Sequence, residues 1–203
     1  MSLLSRVLSA LPDAGLGAVF LITWLNPHVF GEGVLRRALL AMVMEFVVVH
    51  SSALMGSVLW APSLGAAKKT LAAAGFGVMY STILVGFALA IGAWWPVWAF
   101  WGLTLNRLTN ALLARRPAKE TRARMAGDWA TSAALYLLWV FATTLLWVPA
   151  LGITPEVVAA ARLPGTGLWV QQPHRVVVAG AGYFLCQAWV ELRGRALIHA
   201  KHS

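Results

Sequence analysis

Polar residues that interrupt apolar stretches are the ones in this sequence that could carry chemistry. The run MEFVVVHSSALMG, residues 44–56, places Glu45, His50 and Ser52 among aliphatic side chains. Glu45 and Ser52 are seven residues apart and share a helix face, whereas His50 lies about 140° around the helix from Glu45. The two titratable groups therefore cannot chelate one metal ion from this helix alone. We expect them to face two different neighbouring helices.

Two later stretches supply candidate partners for these groups. The run WGLTLNRLTNALL, residues 101–113, carries Asn106 and Asn110 on one helix face with Arg107 beside it, and Gln187 interrupts a later apolar run. An ion pair between Arg107 and Glu45 is the simplest way to neutralise both charges inside a membrane. That pair has two interpretations, a structural clasp that fixes helix register or part of a functional site.

The composition indicates what surrounds these polar residues. The chain of 203 residues is 60% hydrophobic and 11% charged, whereas about a quarter of the residues of a soluble domain are charged. We therefore predict an all-α polytopic membrane protein, a single membrane domain over 1–203 built as a bundle of six transmembrane helices. Each predicted helix is near the length of ~20 residues that spans a bilayer. The helices are expected near 14–30, 36–60, 70–93, 97–114, 129–148 and 175–194.

The basic residues predict the orientation. The loop ARRPAKETRARM, residues 114–125, is the densest basic cluster, and placing it in the cytoplasm puts both termini there. We predict an integral protein of the cell inner (plasma) membrane, with 11 basic residues inside and 4 outside. Arg36 and Arg37 are the exception, because they fall on the outer side. A short helix near 155–162, with Thr154 as its N-cap, is expected at the outer interface.

The net charge of +9 fits loops that face anionic lipid, and we do not expect a nucleic-acid partner. Small residues predict close helix contacts at two places. Ala73, Gly77 and Ser81 recur at every fourth position. The AGAG run at 179–182 follows no strand, so we interpret it as a tight helix contact rather than a phosphate loop.

Metal and enzyme motifs are sparse. His28, His174 and Glu32 are predicted near the outer surface and are weak candidates for a transition-metal site. The chain contains no G-x-S-x-G, H-E-x-x-H or C-x-x-C motif, so catalysis is not the favoured reading. No stretch matches a transporter, rhodopsin or oxidase signature.

The favoured function is movement of a small ion, proton or polar solute along a buried path, with His50 titrating near neutral pH. The predicted path residues are Glu45, His50, Ser52, Asn106, Arg107, Asn110 and Gln187. The alternative is a non-transporting subunit of a larger membrane complex, in which haem is ligated by His50 with Met55 or Met79. A third reading is an intramembrane enzyme. Six helices leave little room for a transport path within a single chain, so we expect a homo-oligomer or a partner membrane subunit.

Overall fold

The computed structural model describes residues 3–59, 61, 63–113 and 119–193, with the backbone alone at 107–108, 110–113 and 119–122. This part of the chain is mostly helical, with loops between the helices, and contains no strand. The α-helices are α1 (Leu3–Leu25), α2 (Val34–Leu59), α3 (Ala66–Ile91), α4 (Trp95–Leu113), α5 (Lys119–Leu145), α6 (Pro155–Ala161), α7 (Leu168–Gln171) and α8 (Pro173–Leu192). A 3₁₀ helix, Pro27–Phe30, follows α1.

Three of the described helices, α1, α2 and α3, are long and apolar enough to cross a membrane. They indicate a membrane protein. Helices α4, α5 and α8 occupy the other segments in which the sequence predicts spans, but within the described residues none of them contains an apolar stretch as long and as hydrophobic as those of α1 to α3. For example, α5 begins with the charged run KETRAR, and α8 includes Arg175, Gln187 and Glu191. The apolar stretches of these three helices are therefore less hydrophobic than those of α1 to α3. The count of six membrane spans stays a prediction.

The first helix differs from the segment expected near 14–30. It begins at Leu3, so Pro12 lies inside it rather than near its end. Proline removes one backbone hydrogen bond from a helix, yet the leucine-rich residues before it continue the same helix. The helix ends at Leu25 because Asn26 caps the 3₁₀ helix, which begins at Pro27.

The chain forms two compact units, one made of Met1–Met42 with Thr131–Ser203 and the other of Val43–Ala130. The first unit is organised around the contact between α1 and α8. A Cβ added at Gly180 would lie 2.4 Å from the Phe20 ring, and one added at Gly17 would lie 2.7 Å from the Leu185 side chain. A Cβ at Gly182 would lie 2.2 Å from the Trp139 ring on α5. The prediction that AGAG is a tight helix contact is therefore confirmed.

The second unit packs α3 against α4 through the small residues of α3. Ala73 and Gly77 are buried, and a Cβ added at Gly77 would lie 3.0 Å from the Trp101 ring. The indole nitrogen of Trp101 donates to Ser81 Oγ at 2.9 Å. The predicted close contact along this face is confirmed. Trp101 therefore serves helix packing, whereas Trp98 remains 70% exposed.

Candidate functional site

His50 lies in the middle of α2 and is half-buried. Its Nδ1 is 3.1 Å from the carbonyl oxygen of Phe46, and the two rings stack with their centroids 4.0 Å apart. Because a carbonyl oxygen can only accept, Nδ1 carries the proton and donates it in this contact. Within the described residues, Nε2 makes no hydrogen bond. In the neutral imidazole, a proton on Nδ1 leaves Nε2 with a lone pair that can accept a proton or bind a metal.

The hydroxyl groups next to this histidine bind the backbone of their own helix. Ser51 Oγ donates to the Val48 carbonyl at 3.2 Å, and Ser52 Oγ donates to the same oxygen at 2.5 Å. From α5, Trp129 Nε1 donates to the Val49 carbonyl at 2.7 Å. These bonds show how an apolar helix accommodates polar side chains, since each donor has an acceptor on the backbone. Ser52, a predicted path residue, uses its proton in this way.

Helix α4 holds three of the predicted path residues. Asn106 is exposed. The side chains of Arg107 and Asn110 lie outside the described residues. Glu45 is half-buried on α2. The proposed ion pair between Glu45 and Arg107 therefore stays a prediction.

Thr104 on α4 is a residue that sequence reasoning missed. It is 3% exposed, and its Oγ1 is buried without a hydrogen-bond partner in the described part of the chain. A helical threonine commonly bonds the carbonyl three or four residues earlier. Buried hydroxyl groups that make no such bond are uncommon and call for an explanation. Nothing in the local sequence distinguishes Thr104 from Thr109 in the same helix, so only the three-dimensional packing reveals it.

Gln187 on α8 is buried within the first unit, where a polar cluster engages its amide. Its Nε2 donates to Ser132 Oγ at 2.5 Å and to the Tyr183 hydroxyl at 3.2 Å. The Tyr183 ring meets Tyr136 edge-on at 5.6 Å, and the Tyr136 hydroxyl donates to the Met42 carbonyl at 3.0 Å. The cluster ties α8 to α5 and to the start of α2. The sequence placed Gln187 within an apolar run but did not indicate the contribution of α5 to this cluster.

The predicted path residues are divided between the two units. Gln187 belongs to the first unit, whereas Glu45, His50, Ser52 and the α4 residues belong to the second. A continuous path that joins all of them stays a prediction.

The three candidate metal ligands are not brought together. His28 and Glu32 line an open pocket of about 840 Å³, but His174 does not. His174 lies at the start of α8, where burial lowers the pKa of its imidazole and the neighbouring Arg175 lowers it further. Among the described residues, no group of three or more histidine, cysteine, aspartate or glutamate side chains could hold a metal ion.

Arg36 and Arg37, the exceptions to the predicted charge bias, bind backbone carbonyls. Arg36 donates through Nε to the Ala161 carbonyl and through Nη2 to the Arg162 carbonyl, both at 2.8 Å. Arg37 donates to the carbonyl of Phe30, at the end of the 3₁₀ helix, at 2.9 Å and to that of Glu32 at 3.1 Å. The carbonyls at a helix C-terminus lack intrahelical partners and carry partial negative charge. Arg36 therefore caps α6, which gives this arginine a structural role in addition to its place in the charge pattern.

Arg175 plays the same part at the end of α5. Its Nη1 donates to the carbonyls of Thr143, Thr144 and Leu146, with the last at 2.9 Å, and its Nε donates to Gln172 Oε1 at 2.5 Å. A single guanidinium group thus satisfies several carbonyls at the α5 C-terminus.

Comparisons with protein-family models, with curated proteins and with solved structures give no significant match.

Proposed function

We propose that this protein crosses the membrane six times and moves a proton, a small ion or a polar solute, with His50 binding and releasing a proton at Nε2. The observation that carries the proposal is the fixed His50 ring. Its Nδ1 is held by the Phe46 carbonyl, while Nε2 has no hydrogen bond within the described residues. A proton relay needs this arrangement, because one nitrogen orients the ring and the other exchanges protons.

The depth of His50 supports the same role. Helix α2 is one of the three helices that are apolar enough to span a membrane. His50 lies about 24 Å from the start of this helix, which is about 39 Å long at 1.5 Å per residue. Ionisable residues at such depths are costly and mark ion or proton pathways by default. The buried Thr104 hydroxyl in the same unit offers a second polar group that could contact a transported species.

The other predicted path residues complete the proposal. Glu45 and Arg107 set the electrostatic field around His50, and Asn106 and Asn110 line the path. Membrane lipid and a second copy of the chain, or a partner membrane subunit, are the proposed partners. A second copy of the chain or a partner subunit would supply further helices to line the path, for which six helices leave little room.

The test is proton flux in proteoliposomes, followed with an entrapped pH-sensitive dye. We expect His50→Ala to abolish pH-dependent flux while thermal stability stays nearly unchanged. Ser57→Ala is a control on the same helix, because the Ser57 hydroxyl bonds its own backbone at the Leu54 carbonyl, and it should retain flux. If flux in His50→Ala still depends on pH, His50 is not the relay.

Thr104→Val is a second variant for the same assay. Valine has nearly the shape of threonine but lacks the buried hydroxyl, so the variant should be as stable as the native protein or more stable. Reduced flux with retained stability supports a place for Thr104 on the path. Unchanged flux removes Thr104 from it.

The same His50 geometry also favours a second function, that of a haem-bearing subunit. Histidines that bind metal usually donate their other ring N–H to a carbonyl or carboxylate, as Nδ1 does to Phe46. Met55 is buried in the same unit, and Met79 is 46% exposed. The visible absorption spectrum of the purified protein decides between the two functions, because a Soret band that is lost in His50→Ala would favour haem.

The six-span topology has its own test. Reporter fusions after Arg124 and at the C-terminus should both indicate the cytoplasm, since these regions hold the densest basic clusters. A signal from the opposite side at either fusion would contradict the proposed orientation.

A further inference from the structure

An open pocket of about 840 Å³ lies in the first unit, between the loop that follows α1, the start of α2, and α6. Its size falls in the range of about 300–1,000 Å³ that is typical of ligand sites. Four of its lining residues carry polar or charged side chains, namely His28, Glu32, Arg36 and Arg162. The pocket shares no residue with the polar segment around His50.

The charged groups of this pocket are only partly used by the protein. Arg36 donates hydrogen bonds through Nε and Nη2 to the carbonyls at the end of α6, and its Nη1 makes no hydrogen bond to the described residues. The exposed guanidinium of Arg162 and the exposed carboxylate of Glu32 likewise make no hydrogen bond or ion pair within the described part of the chain. The lining therefore offers two guanidinium groups and one carboxylate to a ligand.

The backbone conformation of Arg162 adds to this picture. Arg162 ends α6 in the left-handed conformation, with φ of 44° and ψ of 52°. Glycine or asparagine usually occupies this position at the end of a helix, because other side chains are strained there. An arginine in this place brings a cation to the pocket wall where a residue without charge would fit the backbone better.

The position of the pocket indicates the kind of ligand. It lies at the connection between α1 and α2, which are both long and apolar enough to span a membrane. A connection between two such helices lies at a membrane surface, where phosphate headgroups are the most abundant anions. Guanidinium groups bind phosphate through paired, charge-assisted hydrogen bonds.

We propose that this pocket binds a phosphate group that carries an ammonium, as in a phosphoethanolamine headgroup. Arg36 and Arg162 hold the phosphate oxygens, and Glu32 accepts hydrogen bonds from the ammonium. The inference depends on α1 and α2 crossing the membrane, but not on transport through His50. The ligand is either the headgroup of a membrane lipid or a soluble phosphoethanolamine.

The test uses the purified full-length protein in detergent micelles and measures the unfolding temperature during titration. The probes are soluble phosphoethanolamine, phosphatidylethanolamine in mixed micelles and, for comparison, phosphatidylcholine. Arg162→Asn removes the guanidinium and keeps a residue that tolerates the left-handed conformation. Lys68→Gln is the control, because it removes an exposed cation that does not line the pocket.

We expect phosphatidylethanolamine to raise the unfolding temperature of the native protein and of Lys68→Gln. The apparent Kd for phosphatidylethanolamine should be roughly tenfold higher in Arg162→Asn, as expected for the loss of a charge-assisted hydrogen bond. Stabilisation by the soluble compound as well would identify a soluble ligand, whereas stabilisation by the lipid alone would identify a lipid site. An equal response of Arg162→Asn and the native protein, or no response to either probe, overturns the proposal.

Glu32→Gln gives an independent test if Arg162→Asn does not fold. The native protein should prefer phosphatidylethanolamine to phosphatidylcholine, because only the primary ammonium donates hydrogen bonds to the carboxylate. This preference should disappear in Glu32→Gln. A preference that persists in this variant overturns the assignment of the ammonium to Glu32 and, with it, the proposed ligand. The measurement involves no flux, so its failure is distinct from a failure of the transport proposal.

Discussion

Replacing Gly180 by alanine tests the contact between α1 and α8. The added Cβ would lie 2.4 Å from Cδ1 and Cε1 of Phe20, whereas carbon atoms in contact are about 3.5–4.0 Å apart. The ring would have to move by about 1 Å. Phe20 is 3% exposed and packs against Phe184 with ring centroids 5.6 Å apart. Because the ring has little free space, either it leaves its preferred rotamer or the two helices separate.

The magnitude follows from two opposing contributions. Overpacking in a well-packed core costs about 1–3 kcal/mol, and replacing glycine by alanine inside a helix gains about 0.5–1 kcal/mol. We therefore expect Gly180→Ala to lose on the order of 1–2 kcal/mol and to unfold at a lower temperature in detergent. Gly75→Ala is the matched control, because a Cβ at Gly75 has no atom within 4 Å. It should be neutral or stabilising.

A second substitution identifies the source of the strain. Phe20→Leu removes ring atoms that the new Cβ approaches, so the double variant with Gly180→Ala should lose less stability than the sum of the two single variants. Additive losses would show that the two residues do not interact. An unfolding temperature of Gly180→Ala at or above that of Gly75→Ala would refute the close approach itself.

Three other substitutions have expected outcomes that thermal unfolding measures. Arg175→Met should lower the free energy of unfolding by about 1.5–3 kcal/mol, because the α5 carbonyls lose a charged donor, and Arg175→Lys should lose less. Glu45→Gln should cost roughly 3–5 kcal/mol if it leaves Arg107 buried without its partner, and a second change, Arg107→Leu, should recover part. Burial holds the pKa of His174 below 6.5, so the unfolded chain takes up the proton first and stability falls as the pH drops through about 6.5. His174→Gln should remove this fall in stability below about pH 6.5; a fall that persists in the variant contradicts the assignment.

Small residues made part of the fold predictable from the sequence. The AGAG run and the Ala73–Gly77–Ser81 series both mark close helix contacts, because only small side chains let helices approach. The sequence did not reveal which side chains fill the contact. Phe20 and Trp139 approach the glycines of α8 from helices far away in the chain. Such pairings depend on tertiary packing, which no local spacing encodes.

The arginines show what a charge pattern leaves out, namely the hydrogen bonds that individual guanidinium groups make. The positive-inside rule treats each basic side chain as a marker of orientation. Arg36 instead binds carbonyls at the end of α6, a separation of 125 residues along the chain. Arg175 does the same at the end of α5. A loop carbonyl without a partner is invisible in the sequence, so the demand for these capping arginines appears only when the helix ends are placed in space.

Hydrogen bonds also distinguish the residues of the predicted path from one another, because some of their polar groups already have partners and Nε2 of His50 does not within the described residues. The Ser52 hydroxyl gives its proton to its own helix, and the Gln187 amide is held by Ser132 and Tyr183. Groups engaged in this way allow an apolar helix to hold polar atoms at little cost, so their presence needs no transported species to explain it. His50 differs, because the bond that orients its ring leaves Nε2 without a partner among the described residues. Within MEFVVVHSSALMG, the proposed proton transfer therefore depends on Nε2 of His50, whereas the hydroxyl groups of Ser51 and Ser52 already donate to the backbone of their own helix.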